Sequence, residues 1–258
     1  MKRFLITGAA LLSMIAASDA ASAADLSRPV YTKAPALVSP LYDWSGFYIG
    51  VNGGGASSRE CWDLTSNNNI AIVPNLREGC HNATGAVAGG QIGYRWQVAS
   101  WVFGVEALGD WANLKGSNIS QALTVQPLSN QTKVNAITMF TGQVGYAVNN
   151  VLLYVKGGAA MADNAYSSTL TLTGAQVYQT TEDRWGGVVG AGLEYGFAPN
   201  WSIGAEYDHL FMTNSTNVAF PATNLAVARG DTIRQSIDMG TVRLNYRFGG
   251  SAPVIARY

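Results

Sequence analysis

Between Trp44 and Phe248 the chain alternates in two ways at once, and together these alternations leave few folds open. Short runs rich in Gly, Val and aromatic residues alternate apolar with small or polar side chains at a period of two, as strands do. Eight such runs are expected, near 46–54, 84–97, 101–112, 133–148, 151–163, 185–198, 201–213 and 236–248. The connections alternate as well. Three are minimal, at 98–100, 149–150 and 199–200, and the four between them run to roughly 20 or more polar residues. Short turns on one side and long loops on the other are the asymmetry of a barrel in an outer membrane.

A strand that crosses a bilayer keeps charge off its lipid face, where Lys or Arg at the midplane costs about 2 to 4 kcal/mol, while its other face is free to be polar. Trp101, Phe103, Val105 and Ala107 share one face, with Glu106 on the other. Val151, Leu153 and Val155 oppose Tyr154 and Lys156, and Ile92, Tyr94 and Trp96 oppose Gln91, Gly93 and Arg95. Ala191, Leu193, Tyr195 and Phe197 oppose Glu194; Trp201, Ile203, Ala205 and Tyr207 oppose Glu206 and Asp208. In the last run Val242, Leu244, Tyr246 and Phe248 oppose Arg243, Asn245 and Arg247. A soluble lipocalin-like barrel would invert this pattern, and neither it nor a β-sandwich explains tight turns on one side only. The expected fold is all-β: an eight-stranded antiparallel up-and-down transmembrane β-barrel with short periplasmic turns and long extracellular loops. Trp44, Trp96, Trp101, Tyr146, Phe197 and Trp201, beside the short turns, suit one interfacial girdle, and Trp111 and Trp185 suit the other.

Composition agrees. Only 12% of residues are charged, about half the share of a soluble domain. The start, MKRFLITGAALLSMIAASDAASA, has Lys2 and Arg3, an apolar run and the small-residue site Ala21-Ser22-Ala23, which reads as a signal peptide over residues 1–23. After it no stretch approaches the roughly 18 apolar residues of a transmembrane helix. Residues 24–43, with Pro29, Pro35 and Pro40, read as a periplasmic linker, 44–248 as the barrel and 249–258 as a tail. Without Lys2, Arg3 and Asp19 the chain carries 14 basic against 15 acidic residues, and no basic excess points to nucleic acid.

The inward face collects Arg95, Lys156, Arg243 and Arg247 against Glu106, Glu194, Glu206 and Asp208, with Asp110 nearer the loops. The interior of an eight-stranded barrel is just wide enough for its own side chains, so these charges are expected to pair across it as a lumen ionic network. Interior glycines such as Gly93, Gly104 and Gly192 would make room for the arginines. The competing reading is a selectivity lining or gate. Cys61 and Cys80 share the first long loop, and in an exported chain they most simply form a disulfide. A metal site using them with His81 lacks the paired Cys-x-x-Cys spacing of zinc modules. Asp208-His209 could be an acid/base pair, but neighbours on a strand point to opposite faces. Gly190-Ala191-Gly192 followed by Gly196 is a loosened dinucleotide fingerprint with no helix after it. No catalytic residue, metal or cofactor is expected.

The stretches ADLSRPVYTKAPA, YDWSGFYIGVNGGG and VRLNYRFGG resemble the small outer-membrane β-barrel family of alphaproteobacteria, the outer-membrane immunogenic proteins, which is similar in architecture to the transmembrane half of OmpA. The resemblance implies an integral outer-membrane protein of a Gram-negative cell, non-enzymatic, with a structural and surface-exposed role. The alternatives are a small porin-like channel and, behind it, an outer-membrane enzyme or a haem-binding surface protein. Implied partners are outer-membrane lipid and lipopolysaccharide, the barrel-assembly machinery, and host or environmental ligands at the loops. Leu244, Tyr246 and the terminal Phe248 resemble the aromatic-ended C-terminal signal that this machinery reads.

Overall fold

In the computed structural model, residues 42–122, 127–220 and 229–249 are described, the side chains of 215–220 excepted. The expected signal peptide, the linker as far as residue 41 and the tail from residue 250 lie outside the described residues. The strands are β1 (Gly46–Asn67), β2 (Ile70–Val98), β3 (Trp101–Ile119), β4 (Leu128–Val148), β5 (Val151–Leu170), β6 (Gln176–Ala198), β7 (Trp201–Met212), β8 (Ser215–Phe220) and β9 (Arg229–Phe248). Eight of them close a ring of antiparallel neighbours in the order β1 to β7 and then β9, which returns to β1. β8 stands outside the ring order and pairs with the outer stretch of β9. Among the described residues no helix is long and apolar enough to cross a membrane. A closed ring satisfies every backbone group without water, so the strands can do the crossing.

Tight turns join β2 to β3, β4 to β5 and β6 to β7, with Ala99 and Asn149 at positive φ. The opposite end departs from expectation, because most of the long polar connections are strand. β1 and β2 stay in register out to Asn67↔Ile70 and reverse through Asn68 and Asn69, with φ values of 51° and 62°, the left-handed pair that a two-residue hairpin turn requires. β4 and β5 pair out to Leu128↔Leu170. Cys61 stands opposite Cys80 in the outer part of the first hairpin, and the two form a disulfide. The outer strands look like loops in sequence because their pattern inverts. Above the lipid most outward side chains are polar, Ile70, Val73 and Ile119 being among the exceptions, while inward ones such as Trp62, Leu114, Leu128, Tyr166 and Ile233 are buried.

Trp96, Trp101, Tyr146, Phe197 and Trp201 are exposed on the outer wall beside the short turns, and Trp111 and Trp185 are exposed at the other belt. Trp44 does not join them. It precedes β1, so the chain carries it into the periplasmic mouth, where it is 2% exposed, meets the Tyr42 ring at 4.5 Å with the planes tilted by 53°, and packs with Val102, Leu152 and Tyr154.

Lumen glycines make room chiefly for tyrosine. A Cβ on Gly93 would lie 2.5 Å from the Tyr48 ring, one on Gly192 2.4 Å from Tyr154, and one on Gly196 2.3 Å from Tyr42. In the first two cases the ring crosses a glycine directly opposite on the neighbouring strand, the rescue of a strand glycine by an aromatic. Gly104 makes room first for Gln143, whose Nε2 would lie 2.6 Å from a Cβ there, and then for Arg95, whose Cγ would lie at 3.0 Å. Gly93→Val is expected to displace Tyr48 and cost about 1 to 3 kcal/mol, read as a lower urea midpoint for protein folded in vesicles; Ala107→Val on the lipid face should leave that midpoint within about 0.5 kcal/mol.

Candidate functional site: charges paired across the lumen

The inward-facing charges meet at one level of the barrel. Arg95 on β2 pairs with Glu194 on β6 at 2.8 Å. These strands are diametrically opposite in the eight-membered ring, so the pair spans the lumen. Arg243 on β9, fully buried, pairs with Glu106 on β3 and Glu206 on β7. Lys156 on β5 reaches Glu206 at 2.6 Å, Asp208 at 3.2 Å and Glu106 at 3.6 Å.

The tyrosines that cover glycines complete this network. Tyr48 donates to Glu106 at 2.6 Å, and Tyr154 donates to Glu206 at 2.5 Å. Glu194 also accepts from Ser202 and, at 3.0 Å, from Asn245. A relay of amides, Asn245, Gln91 and Asn52, runs on to Asp110 through bonds of 2.7 to 3.0 Å. The Arg95 guanidinium lies 4.4 Å from the Tyr48 ring centre, so the cation is held on a face as well as at its edge.

Arg247 is not brought into this network. It sits four residues nearer the turn on the same strand, and its guanidinium donates to the carbonyls of Ser45, Pro199 and Gly249. There it lies 5.5 Å from the centre of the Tyr42 ring and links the segment before β1 to the β6–β7 turn. Three cations therefore face Glu106, Glu194, Glu206 and Asp208, and the expected balance of four against four is not kept. Leu244 and Phe248 lie on the lipid face with Tyr246 between them.

Above the charges the lumen changes character. Leu108, Ile137, Met139, Leu210 and Ile237 are buried in an apolar layer. Period-two parity from Glu106 already points Leu108 inward, and from Asp208 Leu210, but a search for polar lumen residues passes over them. Farther out lie a polar layer, in which Gln235 donates to Asn164 at 2.8 Å and to Ser58 at 3.1 Å, and an aromatic layer of Trp62, Tyr166 and Tyr178. Arg229 pairs there with Glu78 and Asp231.

The remaining motifs separate. Asp208 faces the lumen, and His209 faces outward and pairs with Asp238 on β9 at 2.6 Å. Tyr207 donates to the same Asp238 oxygen at 2.5 Å. His81 points inward, against Asn118 at 2.7 Å and Thr132 at 3.0 Å, and burial lowers its pKa. It is therefore on the opposite face from the Cys61–Cys80 disulfide. No group of three potential metal ligands occurs among the described residues. Gly190, Gly192 and Gly196 all lie within β6.

The sequence matches the family model of the outer membrane protein beta-barrel domain over residues 7–248. The chain belongs to that family. The 31 kDa outer-membrane immunogenic proteins of Brucella melitensis biotype 1 and Brucella suis biovar 1 are each 26% identical to it over 254 residues, covering 92% of this chain and 98% of the relative. The fold is similar to that of the outer membrane protease OmpT from Escherichia coli, with a TM-score of 0.54 and 9% identity over 79% of this chain and 97% of that one. The barrel is thus an outer-membrane protein of a Gram-negative cell, and its apolar belt is the lipid-facing wall.

In this outer-membrane barrel, Arg243→Leu would leave Lys156 as the one cation that Glu106 and Glu206 share among the described residues. Breaking a buried pair from one side costs about 3 to 5 kcal/mol, and urea unfolding in vesicles is expected to show a loss of that size. Adding Glu106→Gln and Glu206→Gln to Arg243→Leu should recover part of it.

A pH effect is expected from Glu60, which lies beyond the membrane in the outer polar layer. It is fully buried, accepts from Ser58 at 2.7 Å, and burial pushes its pKa up to about 7 against the partial relief of Arg184. The folded state then holds a proton that the unfolded chain has released, so this contribution is fully present below the ordinary glutamate range and is lost as pH rises through about 7. Amide protection factors in the outer parts of β1, β2 and β9, which remove the intrinsic base catalysis of exchange, are expected to be lower at pH 8 than at pH 5, with Glu60→Gln reducing the difference.

Proposed function

We propose that this barrel is a closed, non-enzymatic structural component of the outer membrane that presents its outer strands at the cell surface. The observation that carries the reading is the Arg95–Glu194 pair, 2.8 Å long between opposite walls. A solute path through that level would have to separate two buried opposite charges, which is strongly unfavourable in a site with few alternative partners. Trp44 and Tyr42 below it, and Leu108, Ile137, Met139 and Leu210 above it, add seals of a different chemistry. The name of the Brucella relatives, outer-membrane immunogenic protein, supports a surface-presented antigen.

Against catalysis, Asp208 and His209 lie on opposite sides of the wall. Biogenesis on this reading uses the barrel-assembly machinery, with Leu244, Tyr246 and Phe248 as the recognised ending. The N-terminal 23 residues serve as the export signal.

Planar bilayer recording of refolded protein tests the closed state. No resolvable current steps are expected for the wild type, nor for Arg95→Ala combined with Glu194→Ala, because the apolar layer still closes the path. Reproducible steps from the folded wild type would replace this reading with a small channel.

A further inference from the structure

One stretch of the outer wall works against its own electrostatics. Lys115 on β3 stands directly opposite Lys133 on β4, both exposed. Cross-strand partners have Cβ atoms about 4.5 to 5.5 Å apart, and like charges so placed are destabilising. Among the described residues neither lysine has an ion-pair partner.

Both line an open groove of about 620 Å³ that crosses β3, β4, β5 and β6. Its other polar lining includes Ser117, Gln131, Ser167 and Gln179, and no acidic residue contributes. Hydroxyls and amides can donate to an anion and exchange hydrogen bonds with sugar hydroxyls. Asp163, opposite Asp183 on β5 and β6, lies one pleat nearer the membrane and outside the lining. Its repulsion is a penalty that a bound anion must overcome, so two lysines acting together are needed.

The height of the groove selects the occupant. Trp111, 80% exposed, marks the outer edge of the apolar belt on β3, and Lys115 follows four positions farther out on that strand. At about 3.3 Å per residue and a tilt near 40°, this places the Lys115 backbone roughly 10 Å above Trp111. Girdle aromatics sit at the headgroup level, so the lysine side chains stand at the outer margin of that layer, where the phosphorylated sugars of a glycolipid headgroup extend.

We propose that Lys115 and Lys133 form a docking site for a phosphate on the saccharide headgroup of an outer-leaflet glycolipid, with the adjoining groove receiving the sugar. The proposal rests on the outer-membrane placement of the wall and not on closure of the lumen. It gives the barrel a fixed lipid neighbour on the β3–β6 side.

Full-length protein refolded in detergent, with folding verified by its shift in gel mobility on boiling, would be titrated with diphosphoryl lipid A and bound lipid counted by native mass spectrometry. Wild type is expected to hold one lipid at the site. Lys115→Gln with Lys133→Gln should weaken that binding by about tenfold or more, as loss of charge-assisted bonds to phosphate implies, while Lys115→Arg with Lys133→Arg should retain it. Equal affinity of the wild type and the glutamine variant would overturn the proposal. So would displacement of the lipid by millimolar inorganic phosphate, which would make this a free-anion site. Failure of the closed-lumen reading would appear separately, as conductance, and would leave this measurement unaffected.

Discussion

An eight-stranded ring encloses a space no wider than the side chains that fill it, so every polar group sent inward must find its partner inside. Arg95 and Glu194 meet that requirement across the full width of the lumen, and Arg243 meets it by bridging β3 and β7. Desolvating these charges is costly, and an apolar filling of the same shape would serve stability equally well or better. What the charges provide is register. Each carboxylate is addressed by a particular set of donors, Tyr48 and Arg243 for Glu106, Tyr154 with Lys156 and Arg243 for Glu206. A one-residue slip of any strand would turn its member of the network into lipid. The tyrosines depend in turn on glycines opposite them, so the wall and the network specify each other.

The same wall meets two solvents in succession. In the membrane its outer face is Val, Leu and aromatic residues and its inner face is charged; farther out, the outer face becomes Lys, Gln, Ser and Asp while the inner face takes Trp62, Tyr166 and Ile233. The constant is the lumen, which is lined by buried side chains from the Tyr42 and Trp44 mouth to the outer aromatic layer. Strand pairing can therefore continue far beyond the bilayer, as β1 and β2 do, with the disulfide joining Cys61 and Cys80 across them.

Much of this was legible from alternation alone. Lipid forbids charge on one face, so the parity of the membrane segments could be read residue by residue, and Arg95, Glu106, Lys156, Glu194, Glu206, Asp208 and Arg243 lie together where parity sends them. Three kinds of feature escaped for physical reasons. Parity gives a side but not a height, so Arg247 looked equivalent to Arg243 although four residues along a tilted strand carry it to the mouth. Trp44 lies before β1 and has no parity to read. The outer strands were hidden because a test for apolar residues facing outward fails once water replaces lipid. The Asn68–Asn69 turn was the local signal for the first hairpin, and it was lost in a segment rich in Asn and Ser.

Once the interior is occupied by its own side chains, chemistry left over for other molecules has to be sought on the outer surface. There the wall is not uniform. Tyr207, His209 and Asp238 satisfy one another on β7 and β9, and Asp63 is shared by Arg77 and Arg234 near the first hairpin. Among the described residues Lys115 and Lys133 have no such internal solution, because strand register sets them against each other and the surrounding groove offers only neutral donors and acceptors. Elsewhere on this wall like charges also face one another, Asp163 against Asp183, but only Lys115 and Lys133 do so while lining a groove. On the proposal made above, a lipid phosphate of the outer leaflet supplies the charge that opposes them.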